Sequence, residues 1–135
     1  MYSVDTKIRV RYNETDRMGY LHHSFYPVYF EIARTEMLRS IGSTYKLMED
    51  SGIIMPVYSL NVEYKAPAFY DETLTVKSVM KELPVVRLII NYEILNENES
   101  IICTGTTTNV FVNAETRKPM RVPEDILSLF NKFVD

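Results

Sequence analysis

Cysteine is almost missing from this sequence. Cys103 is the only one, so no disulfide can close within the chain and no zinc site built on several thiolates is available. No apolar stretch approaches the ~18 residues of a membrane span. The first residues, Met1-Tyr2-Ser3-Val4-Asp5, lack the basic-then-apolar layout of a signal peptide. Lysine and arginine form no block and the formal net charge is −3, whereas nucleic-acid binding needs clustered cations. No Gly/Ser-rich linker, low-complexity tract or internal repeat divides the chain. These absences lead to the expectation of a cytoplasmic protein with no membrane span, no nucleic-acid partner and no metal or other cofactor.

What is present suits one soluble domain over residues 1–135. Hydrophobic residues make up 46% and charged residues 24%, enough to build a single substantial core. Thr6 to Tyr12 alternates, with Ile8, Val10 and Tyr12 facing one way and Lys7, Arg9 and Arg11 the other, which predicts a half-buried strand. A polar stretch follows from Asn13 to His23. Phe25 to Ile41 then carries Tyr26, Phe30, Ala33, Met37 and Ile41 at helical spacing, with Ser24 as the predicted N-cap, Pro27 in the tolerant first turn and Gly42 as the stop. Ser43 to Ser51 adds a short helical turn.

From Ile53 the period changes to two. Runs at Val57–Tyr64, Thr73–Met80, Val85–Leu95 and Ile101–Val112 read as strands, and Pro123–Phe133 as a short amphipathic helix. A strand, a long helix and then four strands predict an α+β domain, one helix packed on an antiparallel five-stranded sheet. One helix cannot cover both faces of such a sheet, so a homodimer or homotetramer is expected.

Chemistry is expected where the polar loop meets the helix, because unpaired N–H groups and the helix dipole there favour developing negative charge. The loop Asn13-Glu14-Thr15-Asp16-Arg17-Met18-Gly19-Tyr20-Leu21-His22-His23 holds both histidines of the protein. Asp16 can serve as nucleophile or base, and the amides around His23 and Ser24 as an oxyanion hole. By composition alone such a loop is ordinarily just solvated. The His22-His23 pair does not read as a metal site, since adjacent side chains ordinarily point apart and no ligand set surrounds them. Glu31 and Glu36, on the helix with Arg34, read as a structural salt-bridge or interface group, and Cys103 as a small buried hydrophobe.

The residue order adds more. Tyr12, Asp16, Gly19, His23 and Tyr26, followed by Phe30-Glu31-x-Ala33-Arg34-x-Glu36, resemble the 4-hydroxybenzoyl-CoA thioesterase family, in particular its bacterial Tol-Pal-associated acyl-CoA thioesterase branch. Tyr64-Lys65-Ala66-Pro67-Ala68, Asp71 to Val76 and Thr104 to Val112 extend the resemblance over nearly the whole chain. The resemblance implies a hotdog fold, a sheet wrapped around one long central helix, and hydrolysis of an acyl-CoA substrate. It implies Asp16 as the catalytic carboxylate and the His23 backbone N–H as the donor that polarises the thioester carbonyl. Tyr12 and the His23 side chain match positions placed beside that carboxylate, with the role of the His23 ring left open. Tyr26 and Tyr64 are expected near the acyl group, and Gly19 and Ser24 among the substrate-binding residues.

Three positions depart from the family pattern. Phe25 stands where the family often has Asn, Met18 stands where a small residue is usual, and the basic turn of the aromatic-CoA branch is replaced by Lys81-Glu82-Leu83-Pro84-Val85-Val86-Arg87. Lys81 and Arg87 are therefore the expected phosphate contacts, with Lys65 and Arg117-Lys118 as alternatives. The competing functions are an acyl-carrier-protein thioesterase, a hydroxyacyl dehydratase using His23 as its acid/base, and a non-catalytic acyl-thioester-binding protein.

Overall fold

Strand β1, Tyr2–Arg9, leads into a 3-10 turn at Tyr12–Glu14 and then helix α1, Phe25–Ser40. The computed structural model describes residues 1–134. After α1 come the short helix α2 (Tyr45–Asp50) and strands β2 (Ile53–Ile54), β3 (Val57–Tyr64), β4 (Thr73–Met80), β5 (Arg87–Leu95), β6 (Ile101–Val110) and β7 (Val112–Asn113). Helix α3, Glu124–Asn131, follows. Five strands form one antiparallel sheet in the order β1-β4-β5-β6-β3, and β2 pairs with β7 beside it. This is the α+β hotdog arrangement, with α1 lying along the sheet and packing on β1, β4 and β3. Among the described residues no helix is long and apolar enough to cross a membrane.

The packing follows the two periods. On α1 the buried residues are Tyr26, Tyr29, Phe30, Ala33, Arg34, Met37 and Leu38, the i, i+3, i+4 stripe of an amphipathic helix. Against it β4 offers Leu74, Val76, Ser78 and Met80, and β5 offers Leu88, Ile90, Tyr92 and Ile94. Phe30 stacks on Tyr92 with ring centroids 4.3 Å apart and planes 10° from parallel, a contact worth about 1 kcal/mol beyond its buried area.

Two sequence expectations change. The first strand lies earlier than Thr6–Tyr12, because Tyr2 to Arg9 pair residue by residue with Met80 to Thr73; Tyr12 therefore falls in the turn and is 76% exposed. The expected Glu31–Arg34–Glu36 salt-bridge group does not form. Arg34 points into the core, where its Nε donates to the Tyr45 hydroxyl at 2.6 Å, while Glu36 pairs with Arg39 on the solvent side. Arg34 belongs to the apolar stripe by position, and its two acidic neighbours do not.

Candidate active site

The loop between β1 and α1 is tied back on itself. Thr15 and Leu21 bridge in antiparallel fashion, the Asp16 N–H donates to the Tyr20 carbonyl at 2.8 Å, and the Gly19 N–H donates to the Asp16 carbonyl at 3.0 Å. Gly19 has φ of +81°, a left-handed conformation that glycine adopts without steric cost. The Asp16 side chain takes part as well: its Oδ1 accepts from the Met18 N–H at 2.9 Å and the Tyr20 N–H at 3.1 Å. Its Oδ2 has no hydrogen-bond partner among the described residues. One oxygen thus fixes the carboxylate and the other is left without a protein donor among the described residues.

A second set of bonds fastens this loop to the segment after β3. The Leu21 N–H donates to the Ala68 carbonyl at 2.8 Å, and Tyr20 bridges Phe69. Between the two segments lies an open cleft of about 370 Å³, lined by Asp16, Met18, Tyr20, His23, Tyr26, Tyr64 and the Lys65-Ala66-Pro67 turn, with Leu21 behind. Sequence reasoning named Asp16, His23, Tyr26 and Tyr64, and all four meet here. Met18 stands at the rim, 70% exposed, and Lys65 supplies the cleft's ammonium group.

The start of α1 forms the opposite wall. The Ser24 hydroxyl does not cap the helix. It lies 2.9 Å from His22 Nδ1, which also accepts from the Ser24 N–H at 3.2 Å, while the His22 carbonyl accepts from the Phe25 N–H at 3.0 Å. Taking a backbone N–H marks Nδ1 as an acceptor and assigns the proton of a neutral His22 to Nε2. The two histidine rings do not diverge but pack together, centroids 4.2 Å apart. The Tyr64 hydroxyl donates to the His23 carbonyl at 3.0 Å. The His23 N–H itself has no partner among the described residues.

Tyr26 is buried and packs edge-on to Tyr64, centroids 5.1 Å apart. Burial, with a smaller contribution from Cys103, pushes its hydroxyl up to about 12, so it remains a neutral phenol at physiological pH. Cys103, on β6, is likewise pushed up to about 12 by burial.

Other expected site residues lie elsewhere in the chain. Tyr12 packs edge-on to Tyr70, centroids 5.6 Å apart, and does not line the cleft. Gly19 shapes the loop rather than the cleft wall, and Ser24 is engaged with His22. Lys81 and Arg87 line a separate depression of about 220 Å³ with Leu83 and Asn91, and the Arg87 guanidinium sits 4.9 Å over the Tyr58 ring. One buried carboxylate went unnoticed in the sequence. Glu14, at 1% exposure, is held by Arg11 and Tyr29, and no local spacing singles it out, because Tyr29 reaches it only in the fold.

A five-stranded antiparallel sheet wrapped on one helix, with an acidic loop closing against the helix start, defines the hotdog class. The profile of the thioesterase-like superfamily matches residues 10–130, and the chain belongs to that superfamily. The crystal structure of DHNA-CoA thioesterase from Staphylococcus aureus is similar with a TM-score of 0.91 and 37% identity, covering 98% of this chain and 91% of that one. YneP of Bacillus subtilis (strain 168), provisionally named an acyl-CoA thioesterase, is 32% identical over 90% of this chain and 88% of its own length. The acyl-CoA thioester hydrolase YbgC of Escherichia coli O6:H1 is 28% identical over 93% of each chain.

Proposed function

We propose that this protein hydrolyses acyl-CoA thioesters to the free acid and CoA, as one hotdog domain in which Asp16 acts as nucleophile or general base. The observation that carries this reading is that one cleft is lined both by Asp16, whose Oδ2 has no hydrogen-bond partner among the described residues, and by His23, whose N–H has none. As a base, Asp16 takes a proton from water while the resulting hydroxide adds to the thioester carbon. As a nucleophile, it forms a mixed anhydride that water then cleaves. On either route the carbonyl oxygen becomes an oxyanion, which the His23 N–H at the positive end of α1 receives. The C–S bond then breaks and the CoA thiolate leaves, taking up a proton. The relatives named for CoA-thioester hydrolysis support a CoA substrate, and a CoA substrate supports a cytoplasmic location.

The same reading includes a homodimer or homotetramer. Val57, Tyr58, Leu60 and Tyr64 on the edge strand β3 are 51%, 66%, 47% and 52% exposed, and Val28 and Ile32 of α1 are 41% and 38% exposed. Apolar surface of this extent on a strand that pairs on one side only, with β6, favours a second copy. Light scattering at micromolar concentration is expected to give a multiple of 15.8 kDa; a monomer contradicts the assembly.

The activity is tested by supplying short, long and aromatic acyl-CoAs and following release of free thiol. Turnover of at least one is expected. Binding of acyl-CoA with no thiol released from any of them favours a non-catalytic binding protein instead.

A further inference from the structure

Glu14 lies two positions before Asp16 and is buried, yet it does not line the cleft that Asp16 lines. Its Oε1 accepts from the Arg11 N–H at 3.0 Å and the Tyr29 hydroxyl at 2.6 Å, and its Oε2 from Arg11 Nε at 3.2 Å and Nη2 at 2.8 Å. Both oxygens are occupied by donors, so this carboxylate is no candidate for base or nucleophile. Its main-chain carbonyl meanwhile accepts the His22 N–H at 2.8 Å. One residue therefore joins three points: the end of β1 through Arg11, the buried face of α1 through Tyr29, and the far side of the Asp16 loop immediately before His23.

We propose that Glu14 is a positioning residue, whose carboxylate holds Asp16 in register with the His23 N–H at the start of α1. The inference rests on the Asp16 reading above. Leaving a carboxylate buried is costly unless every lone pair is met, and a fully satisfied buried network fixes one geometry where apolar packing tolerates several. The Tyr29 bond makes the loop follow the helix rather than the strand end alone. A misplacement of the reacting groups by about 1 Å can cost up to ~100-fold in rate, so loosening this clamp is expected to reach the chemical step without touching the residues that contact the substrate.

The test is single-turnover hydrolysis with enzyme in excess, using an acyl-CoA that the wild-type enzyme hydrolyses. Glu14→Gln keeps the volume but turns an NH2 group toward the Arg11 donors. Its chemical rate constant is expected to fall about tenfold and that of Tyr29→Phe about threefold, both with full amplitude and acyl-CoA affinity within about twofold of wild type. A lower amplitude or a lower melting temperature with a wild-type rate constant makes Glu14 a purely structural residue and overturns the proposal. If Glu14→Gln does not fold, Tyr29→Phe decides alone, and a wild-type rate constant there overturns it. Asp16→Asn is run beside them. If Asp16→Asn is slow and Glu14→Gln is not, only the present inference fails; a wild-type rate in Asp16→Asn removes the Asp16 reading and the positioning role with it.

Discussion

Phe30 of α1 rests directly on Gly105 of β6, with no space between them for a side chain. A Cβ at position 105 would stand 2.7 Å from the Asn61 carbonyl oxygen and nearer still to the Phe30 ring. That ring is itself held against Tyr92, so it cannot withdraw freely. Gly105→Ala is expected to cost about 1–3 kcal/mol of stability through overpacking. Urea denaturation checks this, and an unchanged midpoint contradicts the close approach.

Glu14 also predicts an acid-sensitive fold. Burial alone pushes its carboxyl up, but the hydrogen bonds from Arg11 and Tyr29 outweigh burial and hold it below the ordinary carboxylate value. The folded protein then binds this proton more weakly than the unfolded chain. The stability involved is complete above the unfolded value and is lost as pH falls through the depressed folded one. Between about pH 5 and pH 3 the wild-type urea midpoint should fall more steeply than that of Glu14→Gln. Parallel curves contradict it.

Most of the architecture was legible in the sequence because burial imposes a period. Thr73–Met80 alternates strictly between buried and half-buried positions, and α1 carries its stripe. The first strand was misplaced because Val10, Arg11 and Tyr12 prolong the alternation beyond the last pair with β4, Arg9 with Thr73, and only the partner strand shows where pairing stops. The resemblance singled out Asp16 and His23, and the fold brings them to one cleft with Tyr26 and Tyr64. Glu14 was not legible, since a carboxylate in a polar loop looks solvated until the fold brings Tyr29, distant in sequence, to it. Nor could local pattern show that Lys81 and Arg87 line a different depression from Lys65, because β3 and β5 are separated by β6 in the sheet.

Cys103 should be slow to react. Its thiol is fully buried and pushed up to about 12, leaving roughly one molecule in ten thousand as thiolate at pH 8. Ellman's reagent is expected to label it only as fast as the protein opens, and at once in denaturant. Immediate labelling of the native protein contradicts its burial.

The grip on the CoA nucleotide is the property that Arg87 tests. It is exposed and rests on Tyr58 rather than on an acid, so its charge is available to a phosphate. A solvated contact of this kind is worth about 1 kcal/mol, roughly fivefold in affinity. Arg87→Ala is expected to raise KM severalfold with kcat nearly intact, the pattern of uniform binding loss. An unchanged KM, matched by an equally good pantetheine thioester, contradicts a nucleotide contact at this depression.

The central claim concerns one oxygen of one side chain. Asp16→Asn retains an oxygen that can accept from the Met18 and Tyr20 amides, so the loop is preserved while the free Oδ2 becomes an uncharged NH2. Measured on an acyl-CoA that the wild-type enzyme hydrolyses, its kcat is expected to fall about a hundredfold or more with the fold intact by circular dichroism. A folded Asp16→Asn enzyme that turns over at close to the wild-type rate contradicts the account.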